Sequence, residues 1–150
     1  MITAKIGFES ELKHMEKTIE LSNENIDAIK YADIVAITIA EAGAMGEPNG
    51  FYVVLKNCEL YHTNLGNTQI SNEKMLETFP LLKTFDCFCG NIINLNDEWK
   101  YFYMGFGNYL VVRKEYYEII MQYINENLPK DFQRGHLYQK WYEIITKVVK

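Results

Sequence analysis

The residues best suited to chemistry in this chain fall in two stretches. The first is Glu41-Ala42-Gly43-Ala44-Met45-Gly46-Glu47-Pro48-Asn49-Gly50, followed by Tyr61, His62 and Asn64. A carboxylate beside an imidazole can move protons as a general acid–base pair or hold a metal. Glu41 and His62 are therefore the candidate catalytic residues. Glycines let a ligand approach the backbone closely, and Glu47, Tyr61 and Asn64 are candidate binding residues around such a ligand. The stretch holds no Lys or Arg, which argues against a phosphate cradle of the P-loop kind. Its plainer reading is a glycine-shaped connection with solvated carboxylates, since a loop must turn whatever else it does.

The second stretch is Gly105-Phe106-Gly107-Asn108-Tyr109. It lacks the length and the following helix of a dinucleotide fingerprint. It reads as a turn with positive φ at Gly107 or Asn108. Its functional alternative is a gate beside an aromatic pocket, and Asn108 and Tyr109 complete the candidate binding set. Cys87-Phe88-Cys89 is a C-x-C pair without the second pair or histidines that structural zinc wants. Cys58, His14, His62 and His136 are scattered, so the thiols read as buried and inert. No metal and no cofactor are expected.

The elements that must position these residues follow from periodicity. Phe8, Leu12, Met15 and Ile19 recur at helical spacing and predict an amphipathic helix near 9–21. A short helical segment through Ile26 and Ile29 follows. The β-branched run at 33–40 suits a central strand, and 51–55 and 59–63 form a meander around a tight turn at Asn57-Cys58. Ser71 caps a helix carrying Met75, Leu76 and Phe79, until Pro80 stops it. Trp99, Tyr101 and Tyr103 alternate as a strand does and pair with 109–112 in an aromatic hairpin. Two helices close the chain, one with the stripe Tyr117, Ile120, Met121, Ile124 and Leu128, the other with Leu137, Trp141, Ile144 and Val148. The expected architecture is α+β: one domain over 1–150, an antiparallel sheet of about five strands, and helices at both chain ends packed mainly on one face. On that arrangement, the glycine-bearing connection and His62 share one rim of the sheet.

The stretches Ala40-Glu41-Ala42-Gly43-Ala44-Met45-Gly46-Glu47-Pro48 and Met104-Gly105-Phe106-Gly107-Asn108-Tyr109-Leu110 resemble a group of small bacterial proteins without an assigned function. That group carries an A-E-G-G-A-M-G loop and a later G-x-G-N-H-L turn. Ala42 stands here for a glycine of the pattern and Tyr109 for its histidine. The resemblance spans about a fifth of the chain, implies a bacterial or phage-like origin, and brings no known reaction.

Composition narrows the function. Of 150 residues, 48% are hydrophobic and 23% charged, which suits a globular protein. Residues 1–99 carry 7 Lys/Arg against 15 Asp/Glu, and residues 100–150 carry 8 against 5. The acidic majority argues against a nucleic-acid binder and favours a basic protein partner. Neither a signal peptide's apolar core nor a transmembrane run is present, and three cysteines make no disulfide framework, so a cytoplasmic, membrane-free protein is expected. The 11 tyrosines exceed what a core needs, and Tyr116, Tyr123 and Tyr138 are the ones expected to be left for a protein interface. Three functions are consistent with these features. The first is a binding or inhibitory protein of the immunity type. The second is a small hydrolase-like or ligand-binding enzyme centred on Glu41, Glu47, His62 and Asn108. The third is a nucleic-acid accessory protein using Lys100, Arg113, Lys114 and Arg134.

Overall fold

The computed structural model describes residues 18–40, 50–64, 70–80, 97–105, 108–129 and 134–149. Six strands form one sheet: β1 (Thr18–Glu20), β2 (Ile34–Ala40), β3 (Gly50–Leu55), β4 (Leu60–Asn64), β5 (Trp99–Gly105) and β6 (Asn108–Arg113). Their order is β1-β4-β3-β2-β6-β5. Only the β1–β4 pair is parallel; the other four are antiparallel. Helices α1 (Asn72–Thr78), α2 (Lys114–Asn127) and α3 (Arg134–Val149) complete the α+β fold, with 3₁₀ turns at Ile26–Ala28 and Tyr31–Asp33.

The β-branched run of β2 takes the sheet's middle, between β3 and β6, where both its faces are buried. A strand covered on both sides loses the apolar–polar alternation of a solvated one, and a continuous apolar run such as Ile34–Ile37 is the result. Val35 is an extra residue: Ile34 pairs with Leu55 and Ala36 with Val54, a bulge that turns Val35 and Ala36 to the same face. A second bulge at Met104 lets Tyr103 face Tyr109 and Gly105 face Asn108.

The helix-side face packs Tyr52, Val54, Leu60, Phe102, Leu110 and Val112 against Ile120 of α2 and Leu137, Trp141, Ile144 and Ile145 of α3. The opposite face packs Ile37, Phe51, Val53 and Val111 under Leu21, Ile26 and Ile29 and under Met75 and Phe79 beside α1. Ser71 caps α1 as expected, its Oγ accepting from Lys74 N at 3.2 Å. The turn at 56–58 is a three-residue hairpin loop: Cys58 N donates to Leu55 O at 2.8 Å, and Leu55 N donates to Glu59 O at 3.0 Å. Cys58 takes a left-handed φ of 69° there, the conformation this loop requires after its type I turn.

Two features depart from the expected architecture. Residues 18–20, read as the end of an N-terminal helix, form a strand instead; residues 9–17 lie outside the described set. Thr-Ile-Glu satisfies either period, and β1 forms because β4 offers it an edge: Thr18 faces Leu60 and Glu20 faces His62. This strand is also the sixth that the sequence reading lacked. Among the described residues, helices are not gathered at both chain ends on one face. The two long ones follow β6 and share a face, while α1 and the 3₁₀ turns cover the other.

Candidate functional site

The sheet's register locates the rim where the candidate residues were expected. Ala40 pairs with Asn108, Gly50 with Asn64, and Gly105 with Asn108. The anchors of the glycine-bearing connection, the end of β4 and the β5–β6 turn therefore share one end of the sheet. Ala40 and Asn108, one from each of the two stretches that carry the family resemblance, pair there. Glu41, Met45 and Glu47 lie outside the described residues, as do Cys87 and Cys89.

Strand alternation divides the remaining candidates between two faces. Successive side chains on a strand point to opposite sides, so Tyr61 and His62 part company, and so do Asn108 and Tyr109. Tyr61 belongs to the core opposite the helices, where its hydroxyl donates to Glu59 Oε1 at 3.4 Å. Burial raises the Tyr61 pKa above the phenol's ordinary 10.0, and the Glu59 carboxylate adds to the rise.

On the helix side, His62 stacks obliquely on Tyr52, with centroids 4.6 Å apart, and Tyr52 meets Trp141 at 5.7 Å. Thr38 Oγ1 accepts from Tyr52 N at 3.3 Å, and Thr38 and Asn108 are the buried polar residues of β2 and β6. His62 Nδ1 lies 3.5 Å from Glu20 Oε2, with the imidazole 11% exposed and the carboxylate 70% exposed. Among the described residues, the acid beside the imidazole is Glu20 of β1, which the sequence placed in a helix. His62 Nε2 is buried, so the nitrogen that would serve as a base is turned away from solvent.

On the opposite side, β5 and β6 carry a tyrosine cluster. Tyr109 contacts Tyr101 at 5.8 Å, edge to face, and Tyr103 at 5.2 Å. Tyr101 is 46% exposed, while Tyr103 and Tyr109 are half-buried. Tyr116 and Tyr123, expected at an interface, are half-buried and pack against the helix-side core; the side chain of Tyr138 lies outside the described set. Among the described strands, β5, which carries Tyr101, is the last of the sheet and pairs with β6.

No family model matches the chain, and neither the curated proteins nor the solved structures yield a match. Chemistry has to be read from the residues themselves.

Below the tyrosine cluster on the same face lies a cluster of a different kind. The Arg113 guanidinium lies over the rings of Tyr31 and Trp99, at 4.9 and 4.6 Å. Its Nε donates to Ile34 O at 2.7 Å, a second nitrogen donates to Tyr31 O, and the third sits 3.6 Å from Glu98. Tyr31 in turn donates to Glu98 Oε2 at 2.8 Å and accepts from Trp99 Nε1 at 3.0 Å. Every arm of this arginine is spent on holding the 3₁₀ turn at Tyr31 against the sheet. Lys100 points to the other face, its ammonium 5.1 Å from the Tyr117 ring. Two of the four cations named for nucleic-acid binding, Lys100 and Arg113, therefore lie on opposite faces of the sheet. Among the described residues, no group of three or more His, Cys, Asp or Glu is poised to hold a metal, and no helix is long and apolar enough to cross a membrane.

Proposed function

We propose that this chain is a protein-binding domain of inhibitory, immunity-like character, which acts by covering a surface of a protein partner. The observation that carries this reading is the Tyr101–Tyr109–Tyr103 cluster on the outermost hairpin, with Tyr101 46% exposed. Tyrosines supply large amphipathic contact area with few rotatable bonds, and they are enriched where proteins bind proteins. Rings already packed on one another lose little further freedom on binding. Two further observations lean the same way: His62, the described member of the candidate catalytic pair, has its Nε2 buried, and Arg113, named for nucleic-acid binding, is engaged within the fold.

The test is affinity capture from the native host, with the wild-type chain and a Tyr101→Ser/Tyr109→Ser double variant as baits. A partner held by the wild type and lost from the variant is the expected result. Capture that survives both replacements would overturn the reading.

A further inference from the structure

We infer that the exposed face of Tyr101 receives an arginine or lysine side chain of a basic protein partner; this rests on the protein-binding reading and gives its partner a chemistry. The hairpin itself supplies the first argument. Its aromatic surroundings already draw cations from within the chain: Arg113 lies over Trp99 and Tyr31 on one face, and Lys100 lies near Tyr117 on the other. Tyr101 stands between Trp99 and Tyr103 on the tyrosine side, and its ring meets Tyr109 edge to face. No described Lys or Arg lies over it. An electron-rich ring face, partly in water and lacking a cation of its own, attracts one electrostatically.

Charge supplies the second argument. The elements that cover the rest of this face carry Glu24, Asp27, Asp33, Glu73 and Glu77 against Lys30 and Lys74, and Lys74 is paired with Asp27. Among the described residues covering that face the balance is therefore negative, and the chain's net charge is -5. Such a field raises the local concentration of cationic groups and steers a basic surface toward the aromatic corner. Acidic partners are repelled by the same field.

The probe is a short arginine-rich peptide, compared with a glutamate-rich peptide of equal length, titrated into the full chain at low salt. Tyrosine ring resonances report where it binds. The arginine peptide should bind weakly and shift the Tyr101 ring, the glutamate peptide should not, and added salt should weaken the complex. Tyr101→Phe keeps the ring face and should keep binding, whereas Tyr101→Leu should weaken it about five-fold. Circular dichroism of both variants should match the wild type, since Tyr101 is a surface residue. Equal binding by Tyr101→Leu, shifts confined to α2 and α3, or no binding at low salt would each overturn the inference. A native partner lost from the tyrosine double variant but indifferent to the arginine peptide would leave the protein-binding reading standing without its cation.

Discussion

Arg113 shows how much one side chain can be asked to do. Its guanidinium is 12% exposed, is stacked on two rings and donates to two backbone carbonyls. Lysine keeps the charge but lacks the planar fork, so it cannot reach both carbonyls and stack at once. Arg113→Lys should lower stability by about 2–3 kcal/mol, because at least one buried acceptor loses a charged donor. A shift in the denaturant midpoint at unchanged slope is the expected signature, and a loss within measurement error would show the clamp to be idle. Cys58 is the converse case, a residue held where glycine fits better. Its left-handed φ of 69° presses Cβ against the backbone, while its carbonyl accepts the Tyr142 hydroxyl at 2.8 Å. Cys58→Gly keeps that acceptor and removes the clash, and should raise stability by about 0.5–1 kcal/mol net of the added chain entropy. Cys58→Ala should show no such gain.

At the scale of elements, β1 is the sheet's weakest member. It is three residues long and, among the described strands, pairs only with β4, with Leu21 N donating to His62 O at 2.8 Å just past its end. Leu21, buried in the core, fastens it more firmly than the Glu20–His62 pair does. A carboxylate as exposed as Glu20 contributes little, since water screens it and the pair costs side-chain entropy. Glu20→Gln should therefore cost less than about 0.5 kcal/mol. Denaturant unfolding of the two proteins decides it: a cost above about 1 kcal/mol would show that the pair holds β1 more firmly than its exposure allows. This strand also marks the limit of what is legible in the sequence. The five antiparallel strands and three helices announce themselves through β-branched runs, alternation, the Ser71 cap and the apolar stripes, all of them local signals. Nothing local distinguishes Thr18–Glu20 as a strand, because its pairing depends on β4, some forty residues later. Of the candidate site, what the sequence made legible is the rim that its described residues share. The shared rim follows from strand order, whereas placing Tyr61 with His62, and Asn108 with Tyr109, overlooks that neighbours on a strand face opposite ways.

Across the whole molecule, tyrosines act as fasteners as well as a surface. Tyr31 ties a 3₁₀ turn to the start of β5 through Glu98 and Trp99, Tyr61 sits in the core beside Glu59, and Tyr142 ties α3 to the β3–β4 turn at Cys58. In all three, burial is the main cause of a pKa raised above 10.0. Glu98 adds to it for Tyr31, partly offset by the Trp99 N–H, and Glu59 adds to it for Tyr61. A folded-state pKa above the unfolded one means that the native chain holds the proton more tightly. The resulting stability is complete below the unfolded value of 10.0 and is lost as pH rises through the folded values. Because Tyr31 and Tyr142 fasten elements on opposite faces of the sheet, their ionisation should loosen both faces together. The denaturation midpoint should hold level from about pH 8 to about pH 9.5 and fall steeply beyond about pH 10.5, in step with the phenolate absorbance of the unfolding chain. Tyr31→Phe and Tyr142→Phe should each cost stability at neutral pH through a lost hydrogen bond, about 1 kcal/mol, and each should flatten the alkaline decline. A phenylalanine variant that declines as steeply as the wild type would show that its tyrosine is ionised in the native state without consequence, and would place the alkaline sensitivity elsewhere in the fold.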